Sequence, residues 1–194
     1  MSPPVTHESA RERILRAAMR LFQQRSYHGV GLSEILTEAD APKGSLYHHF
    51  PGGKAQLAIA AVESIAADYE AAFARWRTRG RSAAEIVRTL ARAQAQWLTS
   101  TEWQQAGLFA VLTLGAVPEA PELHSALARI HARRQQLLEQ ALCEDGVDDT
   151  RGLAVLALAA LDGGMIQAAA ARDTSLLRLA AERAARCLEA QTRG

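Results

Sequence analysis

Cysteine is scarce. Only Cys143 and Cys187 occur in 194 residues, and they form no CxxC pair. A disulfide framework is excluded, and a reduced, cytoplasmic setting is expected. Asparagine is absent, and aromatic side chains make up only 5%. Six prolines and 13 glycines are too few for a loop-rich β sandwich of this length. No stretch alternates apolar and polar positions with β-branched residues, so strands are not expected. Charge of one sign does not prevail either: 22 basic and 21 acidic residues leave +1. That balance excludes a histone-like binder acting by bulk charge alone. The N-terminal residues contain no apolar signal region. Residues 152–171 have the length of a membrane span, but they include Asp162, Gln167 and paired glycines, and small Ala dominates. A packed helix of a soluble protein is expected there, and no membrane partner.

What the chain has in quantity is alanine, 40 residues of it, with leucine, arginine and glutamate. These are helix formers. Ser9 and Glu12 have the spacing of a capping box, and Ile14, Ala17, Ala18, Leu21 and Phe22 follow at helical spacing. Further helices are expected at 32–39 and 43–50, then at about 54–78 and 83–100, the latter capped by Ser82. Thr101 or its neighbours should open another that reaches Gly115-Ala116-Val117-Pro118. Pro121 should begin the next, ending near Asp145-Gly146. The last two are expected at about 149–171 and 174–190, with Thr174 as cap. The fold class is therefore all-α with about nine helices. Organisation follows charge: residues 1–54 carry +2 and the remainder −1, and both lysines, Lys43 and Lys54, lie in the first part. Three short helices in residues 1–53 precede a larger apolar bundle in residues 54–194.

Residues 32–50 read as two short helices around the break Asp40-Ala41-Pro42, a helix-turn-helix whose second helix enters the DNA major groove. At 100° per residue, Leu46 and Phe50 define its buried side. Gly44 and His48 then point outward, Ser45 and Tyr47 flank them, and His49 leans toward the core edge. Hydroxyls and ring N–H groups on that face suit phosphate and base-edge contacts. Gly44 lets the backbone come close. Lys43 adds a full charge at the helix start, where the dipole is positive, and Lys54 repeats the arrangement one helix later.

The run VGLSEILTEADAPKGSLYHHFPGGKAQL resembles the DNA-binding signature of the TetR family of bacterial transcriptional repressors. Ile35, Ala39, Lys43, Gly44, Leu46, Tyr47, His48, His49 and Phe50 stand at matching positions. Ser45 replaces the usual Thr, and Asp40-Ala41-Pro42 replaces the usual Gly-Val-Ser. With Ala160-Leu161-Asp162-Gly163-Gly164, the run is similar to the LmrA/YxaF-like branch. The resemblance implies a three-helix DNA-binding head, a ligand-binding bundle, and a homodimer built by the last two helices. It also implies a double-stranded operator as partner and a small-molecule effector that releases it. Family members place a phosphate-contacting Thr at the start of the second helix; here Ser33 would serve.

For the effector, Trp97, Trp103, Phe109, Leu112 and Thr113 are candidate pocket residues, each with plain core packing as the alternative. Asp162, inside an apolar helix, is either a hydrogen-bonded interface carboxylate or a contact to a polar ligand atom. Met165 completes the set. The expected effector is small and largely apolar or aromatic. His124 and His131 read as solvent or interface histidines. No cofactor or metal site is expected: no Cys or third His has supporting spacing. Pro51-Gly52-Gly53-Lys54-Ala55 lacks both the earlier glycine and the Ser or Thr of a P-loop. No nucleophile–base constellation supports an enzyme.

Overall fold

Ser9 opens the first helix. In the computed structural model, which describes residues 8–105, 107–115 and 120–191, the Ser9 hydroxyl accepts from the Glu12 N–H and the Glu12 carboxylate accepts from the Ser9 N–H. This capping box starts α1 (Ala10–Arg25), which buries Ile14, Ala17, Ala18, Leu21 and Phe22. Then follow α2 (Leu32–Glu38), α3 (Lys43–His49) and α4 (Gly53–Thr78). A second capping box, Ser82 with Glu85, begins α5 (Ala83–Ser100). The chain continues through α6 (Leu108–Gly115), α7 (Pro121–Glu144), α8 (Thr150–Ala171) and α9 (Thr174–Ala190). Nine helices and no strand occur among the described residues.

Two local expectations need correction. The helix expected to open near Thr101 begins only at Leu108. Thr101 instead finishes α5: its hydroxyl donates to the Trp97 and Leu98 carbonyls, and Glu102 and Trp103 then turn the chain at φ 51° and 63°. The cap of α9 is Asp173, not Thr174. Its carboxylate accepts from the Ser175 N–H at 2.8 Å and the Ser175 hydroxyl at 2.7 Å, and a carboxylate also suits the positive end of the helix. Residues 116–118, the expected end of the sixth helix, lie outside the described residues.

Apolar burial divides between two cores. The first joins α1, α2, α3, the first half of α4, α6 and the start of α7 around Phe22, Ile35, Leu46, Phe50, Leu57 and Leu112. The second joins the end of α4, α5, the end of α7, α8 and α9 around Ile86, Leu98, Leu138, Leu161 and Leu177. Each such side chain contributes roughly 1.5–3 kcal/mol by leaving water. Small residues bring α8 and α9 together. A Cβ placed on Gly164 would lie 3.2 Å from the Leu177 Cα, so only glycine fits that crossing unstrained. Charged ties fasten the periphery. Arg88 of α5 bonds Glu182 and Glu189 of α9, and Arg77 of α4 bonds Glu144 and Asp145 at the end of α7. Glu182, held by Arg88 and Arg186, has its carboxyl pulled down to about 2. Helix α8 has a mean hydropathy of 1.7, long and apolar enough by length and composition to cross a membrane; here it packs along α9, α7 and α5.

Candidate nucleic-acid interface and ligand cavity

The turn between α2 and α3 is held from behind. Arg13 of α1 donates through Nε to the Ala39 carbonyl at 3.0 Å, through Nη2 to the Asp40 carbonyl at 3.2 Å, and through Nη1 to the Glu8 carbonyl at 3.0 Å. Asp40 stands at φ 46°, where the common pattern has glycine. Aspartate is among the few residues that tolerate this left-handed region, which accounts for the replacement. Pro42 precedes α3 with extended backbone, and no side chain caps that helix.

Anchored this way, α3 presents two different sides. Leu46 and Phe50 are 0% and 1% exposed, while Tyr47 is 47% exposed. Lys43, Gly44 and His48 are exposed; Ser45 and His49 are half-buried. The His48 and His49 rings meet edge-on at 4.8 Å. A Cβ on Gly44 would touch nothing within 4 Å, so no internal packing requires glycine there. Ser33 is exposed on α2, its carbonyl accepting from the Thr37 hydroxyl.

The basic side chains near this face are not equivalent. Arg16, Arg20 and Arg25 pair with Glu8, Glu38 and Glu34. Among the described residues Lys43 has no ion pair. Lys54 is half-buried, its Nζ 4.6 Å above the Tyr27 ring. It is therefore tied to the first core rather than free in the way Lys43 is. Arg11, an exposed residue of α1, lies 5.5 Å over the Phe50 ring. It brings a cation to the end of α3.

A cavity of about 400 Å³ opens between α4, α5, α6, α7 and α8, with Gln23 of α1 at its wall. Trp97, Phe109, Asp162 and Met165 line it. Trp103, Leu112 and Thr113 do not. Trp103 packs on the second core, Leu112 is fully buried in the first, and Thr113 is engaged with His131. Leu108 and Phe109, at the start of α6, line the cavity, while Leu112, one turn on, is buried in the first core.

The centre of the cavity is Arg134, which the sequence reading missed. It is 4% exposed and forks onto Asp162, donating at 2.9 and 3.3 Å. Its guanidinium also lies 5.2 Å from the Phe109 ring and 5.6 Å from Tyr69. One signal for it was present: Leu123, Leu127, Ile130, Arg134 and Leu138 fall on a single helical stripe. An arginine in that phase is buried unless the helix breaks. His131 is half-buried rather than solvated, while His124 is exposed. The His131 Nδ1 is 3.4 Å from Arg134 Nη1, and its Nε2 is 3.3 Å from the Thr113 hydroxyl. Arginine only donates, so Nδ1 accepts and the ring proton sits on Nε2. Burial, helped by the Arg134 charge, pushes the imidazole's pKa down. Burial pushes the Tyr69 phenol up, so it remains a donor at neutral pH. Cys143 and Cys187 are exposed free thiols, and no metal-holding cluster occurs among the described residues.

Against this geometry, residues 14–61 match the family model for bacterial regulatory proteins of the tetR family, and residues 83–183 match that for the transcriptional regulator LmrA/YxaF-like C-terminal domain. The HTH-type transcriptional regulator LmrA of Bacillus subtilis is 57% identical over 61 residues, 31% of this chain and 32% of that protein. The uncharacterized HTH-type regulator YxaF of the same organism is 29% identical over 175 residues, covering 89% and 92%. An uncharacterized HTH-type regulator of Mycobacterium tuberculosis is 32% identical over 180 residues, covering 89% and 90%. Among solved structures, a TetR-family regulator from Streptomyces coelicolor superposes with a TM-score of 0.78 at 24% identity, over 95% of this chain and 96% of that one. A cysteine mutant of the TetR-family regulator CifR, complexed with 26 bp operator DNA, gives 0.77 at 25% identity, over 95% and 98%.

Proposed function

Because the chain belongs to the TetR family of bacterial transcriptional regulators, DNA-binding proteins rather than enzymes, we propose that it is a cytoplasmic repressor. In this reading it binds a palindromic operator as a homodimer and is released by a small, largely apolar effector. The observation that carries the reading is α3. Its inner side is buried on α1 and α2, while Lys43, Gly44, Tyr47 and His48 are exposed, an outer side of little packing value. Residues 1–53 are the head. Tyr47, His48, Ser45 and the edge residue His49 approach bases and backbone, while Lys43, Ser33 and Lys54 address phosphates.

Residues 54–194 hold the effector and join the protomers. Val155, Leu156 and Ile166 of α8 and Leu179 of α9 are large apolar side chains left exposed, which supports these helices as the dimer face. Two heads double the contact that one short recognition helix offers, and they match a two-fold site. The cavity at Trp97, Phe109, Asp162 and Met165 is the effector site. Helix α6 lines that cavity with Leu108 and Phe109 and packs against α1, so an occupant that moves α6 also moves the head. A ligand acts this way only by preferring the conformation that does not bind DNA.

The test is retardation of a DNA fragment from upstream of the protein's own gene at moderate salt, with anisotropy titration of the retained site. The triple variant Lys43→Ala, Tyr47→Ala, His48→Ala is expected to lose operator binding while remaining folded. Near-normal binding by that variant would overturn the assignment of α3.

A further inference from the structure

Three buried polar atoms in the effector cavity have no hydrogen-bond partner: the Tyr69 hydroxyl, the Gln94 Oε1 and the Arg134 Nε. All three residues line the same cavity, among apolar neighbours that include Ile65, Leu90, Trp97 and Phe109. A buried polar atom left unpaired costs about 1–3 kcal/mol, so such atoms are rare in native folds, and three in one cavity point to something that satisfies them.

Their chemistry constrains that partner. Arg134 lies against the Tyr69 ring and acts on the phenol oxygen as a donor, so what this corner still asks for is an acceptor, above all for the Tyr69 O–H. Gln94 Oε1 is an acceptor and asks for a donor. Charge narrows the choice further. Arg134 is already neutralised by its two bonds to Asp162. The other carboxylate lining the cavity, Asp68, is exposed. A ligand carboxylate would therefore enter with no unpaired cation to meet it, and a ligand ammonium would find the half-exposed Asp162 carboxylate already taken by Arg134. Bringing an uncompensated charge into such a site is costly.

We propose that the effector is an uncharged molecule with an apolar frame, carrying an oxygen that accepts at the Tyr69–Arg134 corner and a donor group for Gln94, as an alcohol or an amide does. This rests on the reading of the cavity as the effector site. It adds that the site selects by hydrogen-bonding pattern and rejects both signs of charge on the same frame.

The experiment uses the full-length protein and four probes on one carbon frame: 4-cyclohexylcyclohexanol, bicyclohexyl, 4-cyclohexylcyclohexanecarboxylate and 4-cyclohexylcyclohexylamine. Binding is followed by the fluorescence of Trp97, which lines the cavity, with the Trp97→Phe variant as the control for the other tryptophans. The alcohol is expected to bind at least about tenfold more tightly than the other three. Tyr69→Phe and Gln94→Leu are each expected to narrow the gap between alcohol and hydrocarbon without weakening the hydrocarbon. Hydrocarbon binding as tight as alcohol in the unmodified protein would overturn the proposal while leaving the cavity a ligand site. Tightest binding by the carboxylate or the amine would overturn the charge argument in the same way. No binding by any of the four would remove the effector-site reading as well. Where a variant fails to fold by circular dichroism, the ranking of the four probes on the unmodified protein decides alone.

Discussion

Gly44 separates packing from recognition at a single position. Since a Cβ there meets nothing within 4 Å, Gly44→Ala is expected to leave thermal stability unchanged or to raise it by up to about 1 kcal/mol through helix propensity. Operator affinity is expected to fall, because the methyl group stands where the DNA backbone approaches. Retained affinity in an anisotropy titration would show that DNA does not come close at this residue. Lys43→Ala is expected to lower the slope of log affinity against log salt by roughly one unit. Lys54→Ala is also expected to cost stability, about 0.5–1 kcal/mol, because its ammonium rests on Tyr27. His131 gives a pH signature. Its folded pKa lies below the unfolded value of about 6.5, so the unfolded chain takes up the proton first. The stability it contributes is present above that value and is lost as pH falls through the lowered folded pKa. Arg134 and Asp162 face it, and the proton would meet the arginine's charge. His131→Gln should flatten the acid side of the stability profile as pH falls below about 6.5; an unchanged profile would place the titration elsewhere.

At the scale of elements, α8 has two unlike jobs besides the cavity wall that Asp162 and Met165 form. One face is closed against α9 by Gly164 and Ala168, and Gly164→Val is expected to cost about 1–3 kcal/mol in denaturant unfolding, because the added atoms meet the Leu177 backbone. The other face exposes Val155, Leu156 and Ile166. Charging that face should leave the monomer folded and separate the protomers. Val155→Asp with Leu156→Asp, two exposed positions that do not line the cavity, is expected to sediment as a monomer at micromolar concentration and to lose cooperative operator binding. A dimer that survives both substitutions would move the interface away from α8. Helix α6 also works between two neighbours, since it is apolar enough to belong to the first core at Leu112 and to the cavity at Phe109.

For the molecule as a whole, α4 and α7 contribute to both cores, so in the proposed reading effector and operator are expected to be coupled rather than independent ligands. Linkage makes the coupling reciprocal: if the effector weakens operator binding by some factor, operator must weaken effector binding by the same factor. Two titrations, effector into free protein and effector into the protein–DNA complex, should therefore differ by the factor seen in operator release. Equal affinities would show that the compound binds without acting as an allosteric effector.

The chain's own residues determined the helices, because caps, glycines and apolar periodicity are local. Ser9–Glu12, Ser82 and Pro121 each mark a start that the structure keeps. They also determined the two sides of α3, since Leu46 and Phe50 are one helical turn apart and whatever lies opposite them must be exposed. Asp173 and Leu108 were misread because a cap and a turn depend on hydroxyls and backbone angles that neighbouring residues supply equally well on paper. Arg134 was hidden for a different reason. Its charge reads as surface, and only the arrival of Asp162 from α8, with Tyr69 and Phe109 from α4 and α6, makes its burial tolerable. The cavity belongs entirely to tertiary structure: six helices must meet before Tyr69, Gln94 and Arg134, far apart in the chain, face one space.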